Sequence, residues 1–204
     1  SLMFLPIIVL YTVYLYYETK RDIRFLFLAV CSLLLGFALS AFFWFPAFFE
    51  GKYTLRDIVT KGELSGRFVP WSWFLYSPWN YGGGSQFTKS IGPVQWLTVV
   101  SSIFLLKKQS VRLFIGGLLI LFLLALFFMT ETSAYLWQTI TLLQKFQFPW
   151  RLLTVTAFLT AVLGGLIMIQ VHKRYMWAIV WTLSLLAVVV TSGMWRAKGY
   201  QVKP

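Results

Sequence analysis

Six long apolar runs constrain this chain more than any other feature: Leu2–Tyr17, Phe25–Phe49, Gly92–Leu106, Leu113–Met129, Trp150–Val171 and Tyr175–Trp195. The hydrocarbon core of a bilayer is about 30 Å thick and takes roughly 20 apolar residues per helix. The longer runs meet that length, and the shorter ones approach it by thinning the bilayer or packing on neighbours. With 59% hydrophobic and only 12% charged residues, the chain reads as a polytopic membrane protein. Backbone groups must be paired within lipid, so the spans are expected to be helices. A membrane barrel would alternate in polarity over segments of about ten residues. The run Leu118–Leu124 does not alternate at all. The expected fold is therefore all-α: a polytopic bundle of about six transmembrane helices in a single transmembrane domain spanning 1–204, with a long outer loop and an interfacial amphipathic helix.

The net charge of +12 invites a nucleic-acid reading. The basic residues, however, sit in short loops between runs, where they set membrane orientation instead. Dense positive charge occupies Glu18–Arg24, Lys107–Arg112 and His172–Tyr175, and these loops (18–24, 107–112 and 172–175) are expected to be cytoplasmic. The remaining loops, 50–91 and 130–149, then face outward. The one cysteine, Cys31, lies mid-run as a small apolar side chain, and no cysteine–histidine spacing suggests a metal. Ser1-Leu2-Met3 enters an apolar run with no positive segment before it, unlike a signal peptide. The chain is accordingly expected to be the C-terminal portion of a longer protein.

The outer loops carry the chemistry. Leu136, Ile140 and Leu143 recur at helical spacing, so Thr132–Phe146 (residues 132–146) reads as an amphipathic helix in the membrane interface, capped by Thr132 or Ser133. Pro149 suits the first position of the following span. The loop Glu50–Ile91 exceeds an ordinary connector and is expected to fold over the outer face of the bundle. All ten tryptophans except Trp177 and Trp181 fall on that side. An aromatic belt explains part of this excess but should populate both interfaces. The rest is expected to line a vestibule.

Pro-Trp recurs at Pro70-Trp71, Pro78-Trp79 and Pro149-Trp150, and each proline restricts where the following indole points. Arg151 places a guanidinium at the outer mouth of a span, suited to bidentate phosphate binding as well as to headgroup contact. Gly82-Gly83-Gly84 is not a P-loop, since no Gly-Lys-Ser/Thr follows. Carboxylates are few: Glu18 and Asp22 lie among basic partners, and Glu50, Asp57, Glu63 and Glu131 lie outside. No pair has the spacing of an acid–base couple, and the only histidine, His172, is on the other face.

Three segments carry a family resemblance. They are Ser40-Ala41-Phe42-Phe43-Trp44-Phe45-Pro46-Ala47-Phe48-Phe49-Glu50, then Tyr76-Ser77-Pro78-Trp79-Asn80-Tyr81-Gly82-Gly83 with Ile91-Gly92-Pro93-Val94-Gln95, and then Gln147-Phe148-Pro149-Trp150-Arg151. Over roughly Phe37 to Arg151 the chain resembles the 6-pyruvoyl-tetrahydropterin synthase-related membrane domain family of multi-pass proteins, whose layout is similar to that of GT-C glycosyltransferases. The resemblance implies a transferase using a polyprenyl-phosphate-linked sugar at the outer face of the cytoplasmic membrane. In that class the catalytic acidic residue lies in the first outer loop after the first span. No matching loop occurs here, so no catalytic residue is assigned and the missing N-terminal half is an expected partner. No cofactor is evident, and any divalent metal belongs to that missing half.

The substrate-binding candidates are Arg67, Trp71, Trp79, Asn80, Lys89, Lys145, Trp150 and Arg151. The cations would hold the donor phosphate, and the indoles would line the cavity. Two other readings stand beside this one: a transporter or flippase for a lipid-linked substrate, and a non-catalytic membrane subunit that docks a partner through Glu50–Ile91. Gly116-Gly117 and Gly164-Gly165 are the paired small-residue sites and are expected to serve close helix packing.

Overall fold

The computed structural model of the chain describes residues 2–18, 23–50, 66–77, 88–144 and 148–192. Every regular element among them is a helix: α1 (Leu5–Glu18), α2 (Ile23–Leu39), α3 (Ala41–Phe49), α4 (Pro93–Leu105), α5 (Arg112–Met129), α6 (Ala134–Thr139), α7 (Thr141–Gln144), α8 (Leu153–Gln170) and α9 (Lys173–Thr191). Short 3-10 turns occupy Trp71–Phe74, Glu131–Ser133 and Pro149–Leu152. Three helical stretches are long and apolar enough to cross a membrane: Arg112–Met129, Pro149–Gln170 and Lys173–Thr191. At a rise of about 1.5 Å per residue, the 18 residues of α5 cover about 27 Å. The other three expected spans are shorter helices, Leu5–Glu18, Ile23–Leu39 and Pro93–Leu105.

The chain divides into two compact units, one of residues 1–63 with 141–147 and one of 64–140 with 148–204. In the first, the run expected to be one span over Phe25–Phe49 is two helices, α2 and α3, parted at Ser40. Ser40 turns its hydroxyl back to the Phe37 carbonyl, and Trp44 donates its indole N–H to the same carbonyl at 2.9 Å while stacking on Phe37. Pro46 inside α3 cannot donate a backbone hydrogen bond, which further limits a continuous ladder.

The second unit is built around α8. Its buried residues, Val155, Thr156, Leu159, Thr160 and Leu163, form one stripe at three- and four-residue spacing that packs against α4 and α5. On α5 the buried face is Ile115, Leu118, Phe122, Ala125, Leu126 and Met129, the alternating three-and-four pattern of a helix seam. Interior hydroxyls are satisfied within their own helices: Ser102 bonds Val99, Thr156 bonds Leu153, and Thr160 bonds Thr156 and Ala157. The opposite faces are bare hydrocarbon. Leu113, Ile169 and Trp181 each stay more than two-thirds exposed, and no residue of α9 is buried. Apolar surface on that scale, carried on helices of spanning length, suits lipid and not water.

Helix packing accounts for one glycine of the two pairs more than for the others. A Cβ on Gly164 would stand 3.6 Å from Thr98 Cγ2, whereas Gly117 and Gly165 face open space. Because 3.6 Å is an ordinary contact, Gly164→Ala is expected to be tolerated. The helix-propensity gain of roughly 0.5–1 kcal/mol should then appear as an unchanged or slightly raised melting temperature in detergent. A fall of several degrees would contradict the packing.

Alternating chain direction brings like chemistry to like ends in this unit. One end collects Lys107, Lys108 and Arg112 where α4 leads into α5, and His172, Lys173 and Arg174 where α8 leads into α9. There the Lys108 ammonium donates to the Gln170 side-chain oxygen. The other end carries the segments 66–77, 88–92, 130–133 and 148–152.

Candidate functional site: a cation and indole cluster at the loop-bearing end

The loop-bearing end is assembled by backbone. The Val69 N–H donates to the Met129 carbonyl at the last residue of α5, and the Ile91 N–H donates to Phe74. Val69, Phe74 and Ile91 are fully buried, so the two loop pieces are pinned to the bundle by apolar residues as well as by hydrogen bonds. Gly66, at φ +78°, turns the chain into this segment with a conformation that side-chain-bearing residues rarely adopt. Ser77 fastens the far end, accepting from the Lys89 N–H through Oγ and from the Thr88 hydroxyl through its carbonyl.

Two indoles brace this end. Trp96 donates to the Phe74 carbonyl at 3.1 Å and meets Phe122 edge-on. Trp137, only 1% exposed, donates to the Phe128 carbonyl and meets Phe68 edge-on. The expected interfacial helix over 132–146 is different from its pattern over its described residues, 132–144. There the chain is helical in two pieces, α6 and α7, parted at Ile140, which is extended at φ −94°, ψ 97°; residues 145 and 146 lie outside the described ones. Thr139, Ile140 and Thr141 are consecutive β-branched residues, which resist helical continuation, and the Thr139 hydroxyl turns back to Tyr135. Ser133 does not cap the helix start. Its hydroxyl donates to Phe128 and Thr130 instead, closing the end of α5. Pro149 does occupy the first position of its turn.

Five of the eight candidate binding residues lie among the described residues: Arg67, Trp71, Lys89, Trp150 and Arg151. Trp79, Asn80 and Lys145 lie outside them. Four of the five share one aromatic stack. Phe148 and Trp150 stack at 5.2 Å, with their planes 29° apart. The guanidinium groups of Arg67 and Arg151 both lie over Phe148, at 5.4 and 5.5 Å from its centroid. They are therefore within about 11 Å of each other.

One ring further along, the Lys89 ammonium lies between Trp73 at 5.4 Å and Trp150 at 5.9 Å. Lys89 is 4% exposed, and among the described residues its ammonium has ring faces but no hydrogen-bond acceptor. Burial holds its pKa below the ordinary lysine value. Trp73 and Phe148 complete the cluster, and neither was among the binding candidates. Trp73 lies two residues from Trp71, on another side of a 3-10 turn, and Phe148 immediately precedes the Pro-Trp-Arg turn.

Trp71 stands apart from the stack. It is exposed, meets Phe74 edge-on, and lines a recess of about 470 Å³ with Gly66, Pro70, Thr130, Glu131 and Thr132. That recess offers a carboxylate and a hydrogen-bonded pair of hydroxyls, Thr130 and Thr132, 2.6 Å apart. Its charge is opposite in sign to the cation cluster. Among the described residues no group of three histidine, cysteine, aspartate or glutamate side chains is placed to hold a metal. Chemically, the cluster is suited to binding an anionic group with an apolar or ring-bearing neighbour, and among the described residues it includes no carboxylate or histidine.

Comparison of the chain with protein-family models, with curated proteins and with solved structures returns no match.

Proposed function

We propose that this chain is part of a multi-pass membrane protein of the GT-C-like type, whose loop-bearing end binds the phosphate of a polyprenyl-phosphate-linked sugar. The observation that carries the reading is the convergence of Arg67, Lys89 and Arg151 on one stack of Trp73, Trp150 and Phe148, with no carboxylate near the Lys89 ammonium among the described residues. Arginine forks match phosphate oxygens two at a time, and the rings give an isoprenoid or sugar face something flat to lie on. In a transferase the same cations stabilise the negative charge that grows on the departing phosphate. The acidic residue such chemistry requires is assigned to no position in this chain.

The orientation follows from charge. The end bearing Lys107, Lys108, Arg112, Lys173 and Arg174 faces the cytoplasm, and the cluster faces outward from the cell membrane. Arg151→Ala in the full-length protein is the direct test. Loss of one charged, bidentate partner is expected to weaken binding of a polyprenyl phosphate at least tenfold and to lower glycan output correspondingly. Unchanged binding together with unchanged glycan output would remove Arg151 from the site.

A further inference from the structure

We propose that the recess beside the end of α5, lined by Trp71 and by the turn that carries Glu131 and Thr132, is a seat for a primary ammonium group. The inference is independent of the phosphate reading above, since Arg67, Lys89 and Arg151 are not among the residues that line this recess.

The argument turns on where the hydroxyl protons go. Thr130, only 1% exposed, donates to the Phe127 carbonyl at 2.7 Å, and a hydroxyl has a single proton to give. In the 2.6 Å bond between Thr130 and Thr132, Thr130 is therefore the acceptor and Thr132 the donor. Both protons are committed within the protein, and the Thr132 oxygen keeps only lone pairs to offer a ligand. Glu131 adds a carboxylate on an exposed residue, and a carboxylate accepts without donating. The backbone follows the same pattern. The Val69 N–H is taken by the Met129 carbonyl, the Thr130 N–H by the Phe127 carbonyl, and Pro70 has no N–H. Among the described residues that line the recess, the Trp71 indole N–H is the one side-chain donor not already spent.

A site that offers acceptors and negative charge selects a ligand with the opposite inventory. A primary ammonium carries three donors, a positive charge and no acceptor. Its charge meets the Glu131 carboxylate, one of its protons meets the Thr132 oxygen, and Trp71 and Phe68 add rings, which attract cations. Other ligands match less well. An anion would meet lone pairs and a like charge. A neutral sugar hydroxyl brings acceptor lone pairs of its own, which the Thr132 oxygen cannot satisfy. A quaternary ammonium has no proton for Thr132. A divalent cation takes about six or more oxygen ligands, and the side chains of Phe68, Val69, Pro70 and Trp71 supply none. The recess, about 470 Å³, is larger than an ammonium alone, so the body that carries the amine enters with it. A lipid headgroup and a soluble amino sugar both present that chemistry.

The experiment is titration calorimetry of the full-length protein in detergent at pH 6, with two matched pairs of probes. Dihexanoyl phosphatidylethanolamine is compared with dihexanoyl phosphatidylcholine, which keeps the charge and the phosphate but has no N–H. Glucosamine is compared with glucose, which lacks the amine. Because both lipids carry the same phosphate, the cation cluster contributes equally to them, and their difference reads the recess alone. The expected result is binding of the primary amine roughly tenfold tighter than its partner probe, the scale of one hydrogen bond between charged groups. A preference within the lipid pair alone assigns the seat to a headgroup, one within the sugar pair alone assigns it to a soluble amine, and one within both assigns it to the ammonium whatever carries it. Glu131→Gln should abolish the preference. Thr132→Val, which keeps the shape and removes the acceptor, should reduce it severalfold while leaving phosphatidylcholine binding unchanged. Equal affinities within both pairs, a preference that survives Glu131→Gln, or no binding of any probe would overturn the ammonium seat and leave the phosphate reading standing.

Discussion

Replacing Lys89 with methionine is expected to make the protein more stable while removing its capture of anions. The substitution keeps a long flexible stem between Trp73 and Trp150 and deletes a nitrogen that, among the described residues, has no acceptor. Burying an unsatisfied polar group costs about 1–3 kcal/mol on the scale of protein mutational data, and that cost is recovered. The pH dependence has a definite sign. Because the folded state holds the lysine pKa down, the unfolded chain binds more protons between the lowered value and the ordinary value of 10.5. Stability of the natural protein therefore rises with pH across that window. In Lys89→Met that slope should vanish. Melting curves in detergent at neutral pH and near pH 10 report both effects, and a lower melting temperature for Lys89→Met at neutral pH would mean the amine is a net stabiliser. A residue kept at a cost in stability fits a functional role better than a structural one.

The second large effect is expected at Trp137. Its side chain is only 1% exposed, its N–H satisfies the Phe128 carbonyl at 2.9 Å, and its ring meets Phe68 at 6.3 Å. Trp137→Ala should cost about 3–5 kcal/mol, the range for emptying an aromatic site that cannot collapse. Trp137→Phe keeps most of the ring and loses one hydrogen bond, so it should cost about 1 kcal/mol. The Phe128 carbonyl retains the Ser133 hydroxyl in either variant, which limits the second figure. Phe68 adjoins Arg67, so the alanine variant should also weaken phosphate binding, although Trp137 is no part of the cation cluster. Chemical denaturation measures the first effect and calorimetry the second. Equal losses from the alanine and phenylalanine variants would show that the hydrogen bond, not the ring, holds this end.

How much of this was legible in the sequence depends on the kind of pattern involved. Helix type and approximate ends were readable for α5, α8 and α9, because apolar length alone decides them. Which stripe of α5 packs inward was not, since a helix greasy on every side has no periodic contrast to reveal the seam through Leu118, Phe122 and Met129. The break at Ile140 was hidden by a good 3.6-residue pattern, and the β-branched run Thr139-Ile140-Thr141 was the signal against it. At the site, the cations Arg67, Lys89 and Arg151 could be singled out as residues, because charges in so apolar a chain stand out. Their assembly on Phe148 and Trp73 was not readable. It depends on where the loop pieces 66–77 and 88–91 are pinned, through Val69 to Met129 and Ile91 to Phe74, and such long-range pairings leave no local trace. Tryptophan counting also merged two roles: Trp96 and Trp137 are fasteners, whereas Trp73 and Trp150 cover the amine.

The inward-turned hydroxyls have a mechanical consequence. Ser102, Thr156 and Thr160 each spend their donor on a carbonyl of the same helix. Side-to-side adhesion of α4 with α8 thus relies on dispersion, which changes gently as one cylinder slides past another. Among the described residues a polar latch joins the ends of α4 and α8 at the Lys108–Gln170 tie, while at the other side the loop pieces are tied through Val69 to Met129 and through Ile91 to Phe74. With its polar ties, among the described residues, gathered at its tips, such a rod passes a push from tip to tip, from the indole-covered mouth towards the basic rim.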